Sequence, residues 1–477
     1  MPRGMGIAMV LFDKLTRRNM LIRNGRLTMD DVDLEALADR FGTPLYVYSE
    51  SHLWRNVRQL HDAFHYEHVP ADLFFPLRAS SNLAILQAIG RTGIGVEVGS
   101  MGELKKALTA GFSGERILLA GADRPPELLS HALERGVRAI STDSLSEIET
   151  LSTLGTRMAR PADILLEVDP VLSFPNHRPP TPYYLKSGID RHDLLSFAEQ
   201  TLNYPGIRIR GLHVQVGTYR WKPETLRRVG EIALELLEQI RSRLGVDGDV
   251  LFLGGELPLQ VQELDLPSSD EAAAELDQDL LAARTLAELL TQYDRPLRFV
   301  LSPGERLIAN AGLLLTTVRQ VKSKSIRDEE GNITDIVRWL IVDAGLNILP
   351  QWPGEPSNRA ALSVTRAEQT HDVPFKIGGP LYDHRDYFRD GAQGSEYYLL
   401  PGNTRPGDRL AFLDTGAYVL EYMSEANSFP RAGAAMIRTS GQVHLIRHHD
   451  TFRQLVDCDV FPGKYRKEPR PHHQVDL

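Results

Sequence analysis

Phe74-Phe75-Pro76-Leu77-Arg78-Ala79-Ser80-Ser81-Asn82 reads as a buried strand that runs into a polar loop, with a helix from about Leu83. Outward from this stretch the same strand-then-helix unit recurs. Before it stand a short strand at Leu45–Tyr48 and a helix over Ser51–Phe64, with Ser51 placed as its cap. After it come strands at Gly95–Val98, Arg116–Ala120, Arg138–Thr142, Ile164–Val168, Arg208–Val216, Asp249–Leu253 and Phe299–Ser302. Helices lie between them at Glu103–Ala110, Pro125–Arg135, Ser144–Leu154 and Leu280–Gln292, the first closed by Gly111. Such alternation implies a parallel sheet. Roughly eight repeats over about 250 residues fit a (β/α)8 barrel. A doubly wound open sheet is the alternative, but no G-x-G-x-x-G opens any of these helices.

Past about Val318 the texture changes to short strand-like segments at Val337–Val342, Ser395–Leu400, Arg409–Phe412 and Val443–Ile446. Glu330-Gly331-Asn332, Pro401-Gly402 and Pro406-Gly407-Asp408 mark turns between them, as expected of an antiparallel β domain. The expected organisation is an N-terminal extension over 1–40, partly packed on the β domain, a barrel over 41–317, the β domain over 318–463 and a flexible tail over 464–477.

A length of 477 residues allows a core of good size, and 42% hydrophobic with 25% charged residues is the balance of a soluble globular protein. A net charge of −9 argues against binding nucleic acid by phosphate neutralisation. The one cysteine, Cys458, excludes an internal disulfide framework and a cysteine-based zinc site, in keeping with a cytoplasmic protein. The apolar run Met5–Phe12 is too short to span a bilayer, so no membrane partner is expected. No H-E-x-x-H, G-x-S-x-G or P-loop occurs. His448-His449 reads as exposed charge and His472-His473 as part of a solvated tail.

Several motifs occur in one order. Phe41-Gly42-Thr43-Pro44-Leu45-Tyr46-Val47-Tyr48 comes first, followed by Arg78-Ala79-Ser80-Ser81-Asn82 and Gly211-Leu212-His213-Val214-Gln215-Val216-Gly217-Thr218. Gly254-Gly255-Glu256-Leu257-Pro258, Ser302-Pro303-Gly304-Glu305, Gly379-Pro380-Leu381-Tyr382-Asp383 and Gly416-Ala417-Tyr418 follow. Together, from about Phe41 to Phe461, they resemble the fold type III pyridoxal phosphate (PLP)-dependent decarboxylases, which act on diaminopimelate, ornithine, arginine and related amino acids. The resemblance implies an α/β fold with an alanine racemase-like (β/α)8 barrel and a C-terminal antiparallel β domain. It also implies a homodimer whose active site lies between subunits.

The resemblance places Arg78 where the family has the lysine that binds PLP as a Schiff base. An arginine stays near or above a pKa of ~12, so its neutral fraction at neutral pH is on the order of 10⁻⁵ or less. It cannot form an aldimine, though its planar fork can grip a carboxylate or phosphate. Other matched positions also differ. Ser302 stands for the glutamate that holds the pyridine nitrogen, Gln215 for the ring-stacking histidine, Tyr382 for the cysteine given by the partner subunit, and Glu97 for an aspartate. Gly254, Gly255, Gly304 and Tyr418 match the phosphate contacts, while Glu256 and Glu305 add negative charge there. Asp383 matches the acidic contact to a substrate's distal amine. Each has a plainer alternative. Arg78 is then a structural cation paired with an acid such as Glu97, the glycines are tight barrel turns, Asp383 is a surface acid and His213 is a hydrogen-bonded core histidine. Glu103 is explained by a helix N-terminus.

These replacements set the functional expectation. Arg78, Glu97, Gln215 and Tyr382 are the candidate catalytic residues. His213, Gly254, Gly255, Ser302, Gly304, Asp383 and Tyr418 are the candidate ligand contacts, and no metal is expected. The expected protein is a divergent decarboxylase-like lyase for a small anionic, amino-acid-derived ligand. Arg78 would stabilise developing negative charge, and Glu97 or Tyr382 would move protons. It is expected to need no cofactor, with PLP admitted only without an aldimine to residue 78. The alternatives are a non-catalytic partner, forming a heterodimer with an active paralogue or sensing a ligand, and a PLP enzyme that uses another lysine. For the latter, Lys105 and Lys106 should face outward, and Lys186 is the third candidate.

Overall fold

The computed structural model describes residues 15–16, 18–170, 186–215, 223–255, 271–351, 359–389 and 396–460. These fall into two compact units, one of residues 15–51 and 310–460, the other of residues 52–255 and 271–309. The expected boundaries at 40/41 and 317/318 therefore shift to 51/52 and 309/310.

The second unit is a closed barrel of eight parallel strands. They are β1 Ala71–Pro76, β2 Gly95–Val98, β3 Ile117–Leu119, β4 Ala139–Thr142, β5 Ala162–Asp169, β6 Ile207–Gln215, β7 Val250–Gly254 and β8 Arg298–Leu301. Each pairs with the next, and β8 closes on β1 through Phe299↔Ala71 and Leu301↔Leu73. Helices α1 Leu83–Gly90, α2 Met101–Thr109, α3 Pro126–Arg135, α4 Leu145–Arg157, α5 Leu194–Thr201, α6 Pro223–Leu244, α7 Glu271–Leu290 and α8 Gly304–Ile308 follow the strands in turn. Local chemistry sets their starts. Asn82 accepts from the amides of Ala84 and Ile85, and Ser100 accepts from Glu103 N, as N-cap side chains do. Glu103 in turn accepts from Gly99 N at 2.6 Å, which gives it the helix-start role the sequence indicated.

Side chains on a strand alternate between its two faces, so the barrel interior can be followed two residues at a time. Phe74, Leu118, Ala139, Leu165, Val250, Phe252 and Val300 form one buried apolar cluster inside the barrel. Gly95 belongs to the same inward face, because a Cβ there would lie 2.3 Å from the Phe74 ring. Two residues further along each strand the inward positions become Glu97, Ser141, Glu167 and Ser302. The barrel therefore has an apolar floor and, toward the strand C-termini, a polar layer. At the opposite end, Arg138 and Arg298 pair with Asp72, and Arg208 and Arg210 with Asp163 and Asp249.

The first unit is built on a sheet that runs through Tyr387–Phe388, Val373–Gly378, Ile333–Val342, Gly312–Arg327, Leu45–Ser49, Gly433–Ile437 and Val443–Arg447. Its pairings are antiparallel except Leu45–Ser49 with Gly433–Ile437 and Ile333–Val342 with Val373–Gly378, which are parallel. Leu45–Ser49 was expected to open the barrel. Instead it is a central strand of this sheet, paired to Gly312–Leu315 on one side and to Gly433–Ile437 on the other. All five of its residues are buried. A strand covered on both faces has no alternation, so its pattern matches that of a parallel barrel strand. The helix after it begins at Glu50, so Ser51 is not its cap; the Ser51 hydroxyl donates to Asp30 Oδ1 at 2.6 Å. His449 is not exposed charge either, since its Nε2 sits 2.8 Å from the Pro44 carbonyl oxygen. Residues 1–14 and 461–477 and the segment carrying Glu256 lie outside the described residues.

Candidate active site

β1 leaves the barrel at Pro76, and Leu77 N donates to the Glu97 carbonyl at 3.0 Å, fastening the loop to β2. Arg78 follows, and its Nη1 donates to Glu97 Oε1. Glu97 is buried at 4% exposure, whereas the Arg78 side chain is 39% exposed. The pair therefore joins a cation that reaches solvent to an acid held inside the barrel. The second Glu97 oxygen, Oε2, is buried with no hydrogen-bond partner among the described residues.

Beside Glu97 the polar layer continues as a connected set. His213, fully buried on β6, sits opposite Glu167 of β5 and Phe252 of β7. Its ring stacks on Phe252 at 4.0 Å between centroids, and its Nδ1 lies 2.6 Å from Ser141 Oγ. Ser141 Oγ donates to Glu167 Oε2 at 3.4 Å. Arg124, in the loop between β3 and α3, reaches the same carboxylate at 3.6 Å through Nη1. Its Nε donates to Glu147 at 2.9 Å and its Nη2 to Asp143 at 3.0 Å. Burial pushes the Glu167 carboxyl up to about 7, with Arg124 pulling the other way. Burial pushes His213 down to about 3, helped by the positive charges of Arg78 and Arg124. The imidazole is therefore neutral at physiological pH, and its Nε2 has no partner among the described residues.

Ser141, Glu167 and Arg124 were not singled out in the sequence. The legible signal was Glu167 itself, an acid within the apolar run Ile164-Leu165-Leu166-Glu167-Val168. An acid there is almost never buried without a partner. Gly211, two residues before His213, sets the strand's path. Its φ is +152°, and a Cβ there would lie 1.8 Å from the Val250 carbonyl oxygen. Gly211→Ala should cost about 1–3 kcal/mol by separating β6 from β7. Chemical denaturation against the wild type checks this.

The remaining barrel candidates cluster at the same strand ends. Gln215 ends β6 in register with Gly254, and its side chain lies outside the described residues. Gly254 ends β7 and Gly255 follows it with φ +130°, a conformation that favours glycine. Ser302 is 1% exposed, and its hydroxyl has no partner among the described residues. Gly304 N donates to the Ser302 carbonyl at 3.1 Å.

Tyr382, Asp383 and Tyr418 belong to the first unit. The Tyr382 side chain is fully exposed, while its amide donates to Asn427 Oδ1 at 3.1 Å. Asp383 is held well below the usual carboxylate range by Arg385, whose Nη2 donates to it at 2.8 Å. Buried Asp386 shapes this loop by accepting from the amides of Leu346 and Leu381, each at 2.7 Å. Tyr418 takes a left-handed backbone, φ +66°, ahead of the helix Val419–Tyr422.

Of the other lysines, Lys105 and Lys106 are both exposed, and Lys106 also reaches the loop that carries Arg78. Its Nζ donates to Ser81 Oγ, a hydroxyl buried in the loop that carries Arg78. No cluster of metal-ligating side chains occurs among the described residues.

Residues 51–306, more than half of the chain, match the family described as pyridoxal-dependent decarboxylase, pyridoxal binding domain. The chain belongs to this family. Among its relatives, the diaminopimelate decarboxylase of Zymomonas mobilis is 27% identical over 439 residues, covering 91% of this chain and 97% of that protein. The diaminopimelate decarboxylase of Pseudomonas fluorescens is 29% identical over 444 residues, with 91% and 96% covered. The crystal structure of diaminopimelate decarboxylase from M. jannaschii superposes with a TM-score of 0.81 at 23% identity, covering 94% of this chain and 99% of that one. At that identity the likeness shows the fold alone. Membership in the pyridoxal-dependent decarboxylases overturns the expectation that the chain needs no cofactor. The matched region is the pyridoxal binding domain itself, so PLP is the expected cofactor. The expectation erred because it read the residues at Arg78, Gln215, Ser302 and Tyr382 as excluding the cofactor, whereas the match extends over the whole domain. No helix among the described residues is long and apolar enough to cross a membrane.

Proposed function

We propose that this decarboxylase-family protein binds PLP at the C-terminal ends of its barrel strands without a covalent bond to residue 78, and acts on a small anionic, amino-acid-derived ligand. The observation that carries the reading is the placement of Arg78, a permanent cation anchored on Glu97 in the loop after β1. The residues present fit the ring and the phosphate of the cofactor and do not fit a covalent link at 78. The buried, unpartnered Ser302 hydroxyl suits a neutral ring nitrogen, to which it can donate. The amides at Gly254-Gly255 suit a phosphate. When bound, the cofactor supplies an electron-accepting ring. Arg78 is then free of the covalent role and orients the ligand's carboxylate through its fork while Glu97 fixes its position. A homodimer is part of this reading, supported by the fully exposed Tyr382 side chain.

Purified wild-type protein should take up PLP reversibly, release it on dialysis and retain none after borohydride reduction. Arg78→Lys should become labelled under the same treatment. Arg78→Ala should lower carbon dioxide release from the protein's amino-acid substrate by ~10–100-fold, the worth of a charge-assisted hydrogen bond. Equal turnover in both proteins would remove Arg78 from the site. A second reading, covalent chemistry at another lysine, is favoured by the contact between Lys106 and Ser81. Reduced cofactor mapped to Lys106 in the wild type would establish it and overturn the first.

A further inference from the structure

We infer that Glu167, Ser141 and His213 form a proton relay inside the barrel that ends at His213 Nε2 and delivers one proton to the bound ligand. The inference rests on the proposed decarboxylation for its use, though not for its test. Replacing a carboxylate by hydrogen consumes one proton, and the wall of this site must supply it. Arg78 cannot, because its guanidinium does not give up a proton near neutrality.

The geometry provides a continuous path. Glu167 Oε2, Ser141 Oγ and His213 Nδ1 are linked by contacts of 3.4 and 2.6 Å, and all three residues are at most 2% exposed. At the end of the row, Nε2 is buried with no partner among the described residues. A buried polar atom of this kind is costly unless a ligand or water meets it. The stacked Phe252 ring fixes the plane of the imidazole.

The proton count balances. In the loaded form Glu167 is protonated and donates to Ser141 Oγ, Ser141 donates to His213 Nδ1, and Nε2 carries the ring proton. Transfer moves the Nε2 proton to the ligand, the Ser141 proton to Nδ1 and the Glu167 proton to Ser141. In the discharged form His213 Nδ1–H donates to Ser141 and Ser141 donates to an ionised Glu167. The imidazole is neutral at both stages, and the net change is one proton lost by Glu167 and one gained by the ligand. The reset takes one proton from solvent. The elevated Glu167 carboxyl and the suppressed His213 basicity suit this sequence, since the acid is half-loaded near neutrality and the ring never holds a second proton. The charged groups that tune the relay are Arg124, Asp143 and Glu97 beside Glu167, and Arg78 and Arg124 beside His213.

The signature is a tautomer switch without ring ionisation. Nitrogen-15 NMR of histidine-labelled, ligand-free protein should show the His213 proton on Nε2 at about pH 5 and on Nδ1 at about pH 9, with the ring neutral throughout. Ser141→Ala breaks the path and Glu167→Gln removes the acid, so each should abolish the switch. One tautomer held across the whole range in the wild type would overturn the relay, as would a switch that persists in Ser141→Ala. The wild-type titration alone decides the matter if either variant fails to fold. It reads protonation rather than turnover, so a protein that decarboxylates nothing can still show the switch, and an active one can lack it.

Discussion

Replacing Arg124 by alanine is expected to destabilise the protein by about 3–5 kcal/mol, the scale of breaking a buried ion pair from one side. The Arg124 side chain has no exposure at all, and three carboxylates converge on it, from Asp143, Glu147 and Glu167. Two of these have other donors to fall back on. Gly188 N donates to Asp143 at 2.6 Å and Thr142 Oγ1 to Glu147 at 2.7 Å. Glu167 is left with the long Ser141 contact and a neutral His213 Nδ1 at 3.9 Å, so it should respond by taking up a proton. The loss should accordingly be larger above neutrality than at about pH 5. Arg124→Lys keeps the charge without the fork and should recover part of the loss. Urea denaturation of the three proteins at both pH values is the measurement. A change below about 1 kcal/mol in the alanine variant would mean that the carboxylates relax without their shared partner.

The second large effect is a gain. Burial raises Glu167 from an ordinary 4.5 to about 7, so the folded chain holds this proton more tightly than the unfolded chain does. Its contribution to stability is fully present below pH 4.5, declines as the pH rises and is gone above about 7. At about 1.4 kcal/mol per pH unit, the amount lost is on the order of 3 kcal/mol. Glutamine imitates the protonated acid, so Glu167→Gln should match the wild type at about pH 5 and exceed its stability by about 2–3 kcal/mol at about pH 8. His213 works in the opposite direction. Burial lowers it from 6.5 to about 3, so its contribution is present above pH 6.5 and is lost as the pH falls toward 3. Between 4.5 and 6.5 the two slopes cancel, leaving a plateau in this part of the pH profile. A glutamine variant no more stable than the wild type at about pH 8 would show that Glu167 is ionised there without penalty.

Much of the barrel was legible because its strands and helices are locally consistent. The stretch from Phe74 to Asn82 declares a strand, a loop and the helix that follows, and all three are present. Leu45–Ser49 was misplaced because burial on both faces erases the periodicity that tells a barrel strand from the centre of another sheet. The site was legible in outline only. Arg78, Glu97, His213 and Ser302 could be named from their motifs, whereas the partners of His213 come from β4 and β5. Ser141 lies 72 positions from His213 in the chain. A serine in a short strand carries no mark of the imidazole it will meet. The expected absence of a cofactor failed for a different reason, since the residues at Arg78, Gln215, Ser302 and Tyr382 say little about the rest of a binding surface.

The apolar floor of the barrel separates the buried polar layer from the ion-paired rim at the far end. Phe74, Leu165 and Phe252 act there as insulation. With that floor in place, hydrogen isotopes would be expected to reach Ser141 and His213 from the side on which the strands end. A ligand seated on that side would stopper its own proton supply, and the hydrogen incorporated in each turnover would be the one stored before the ligand arrived.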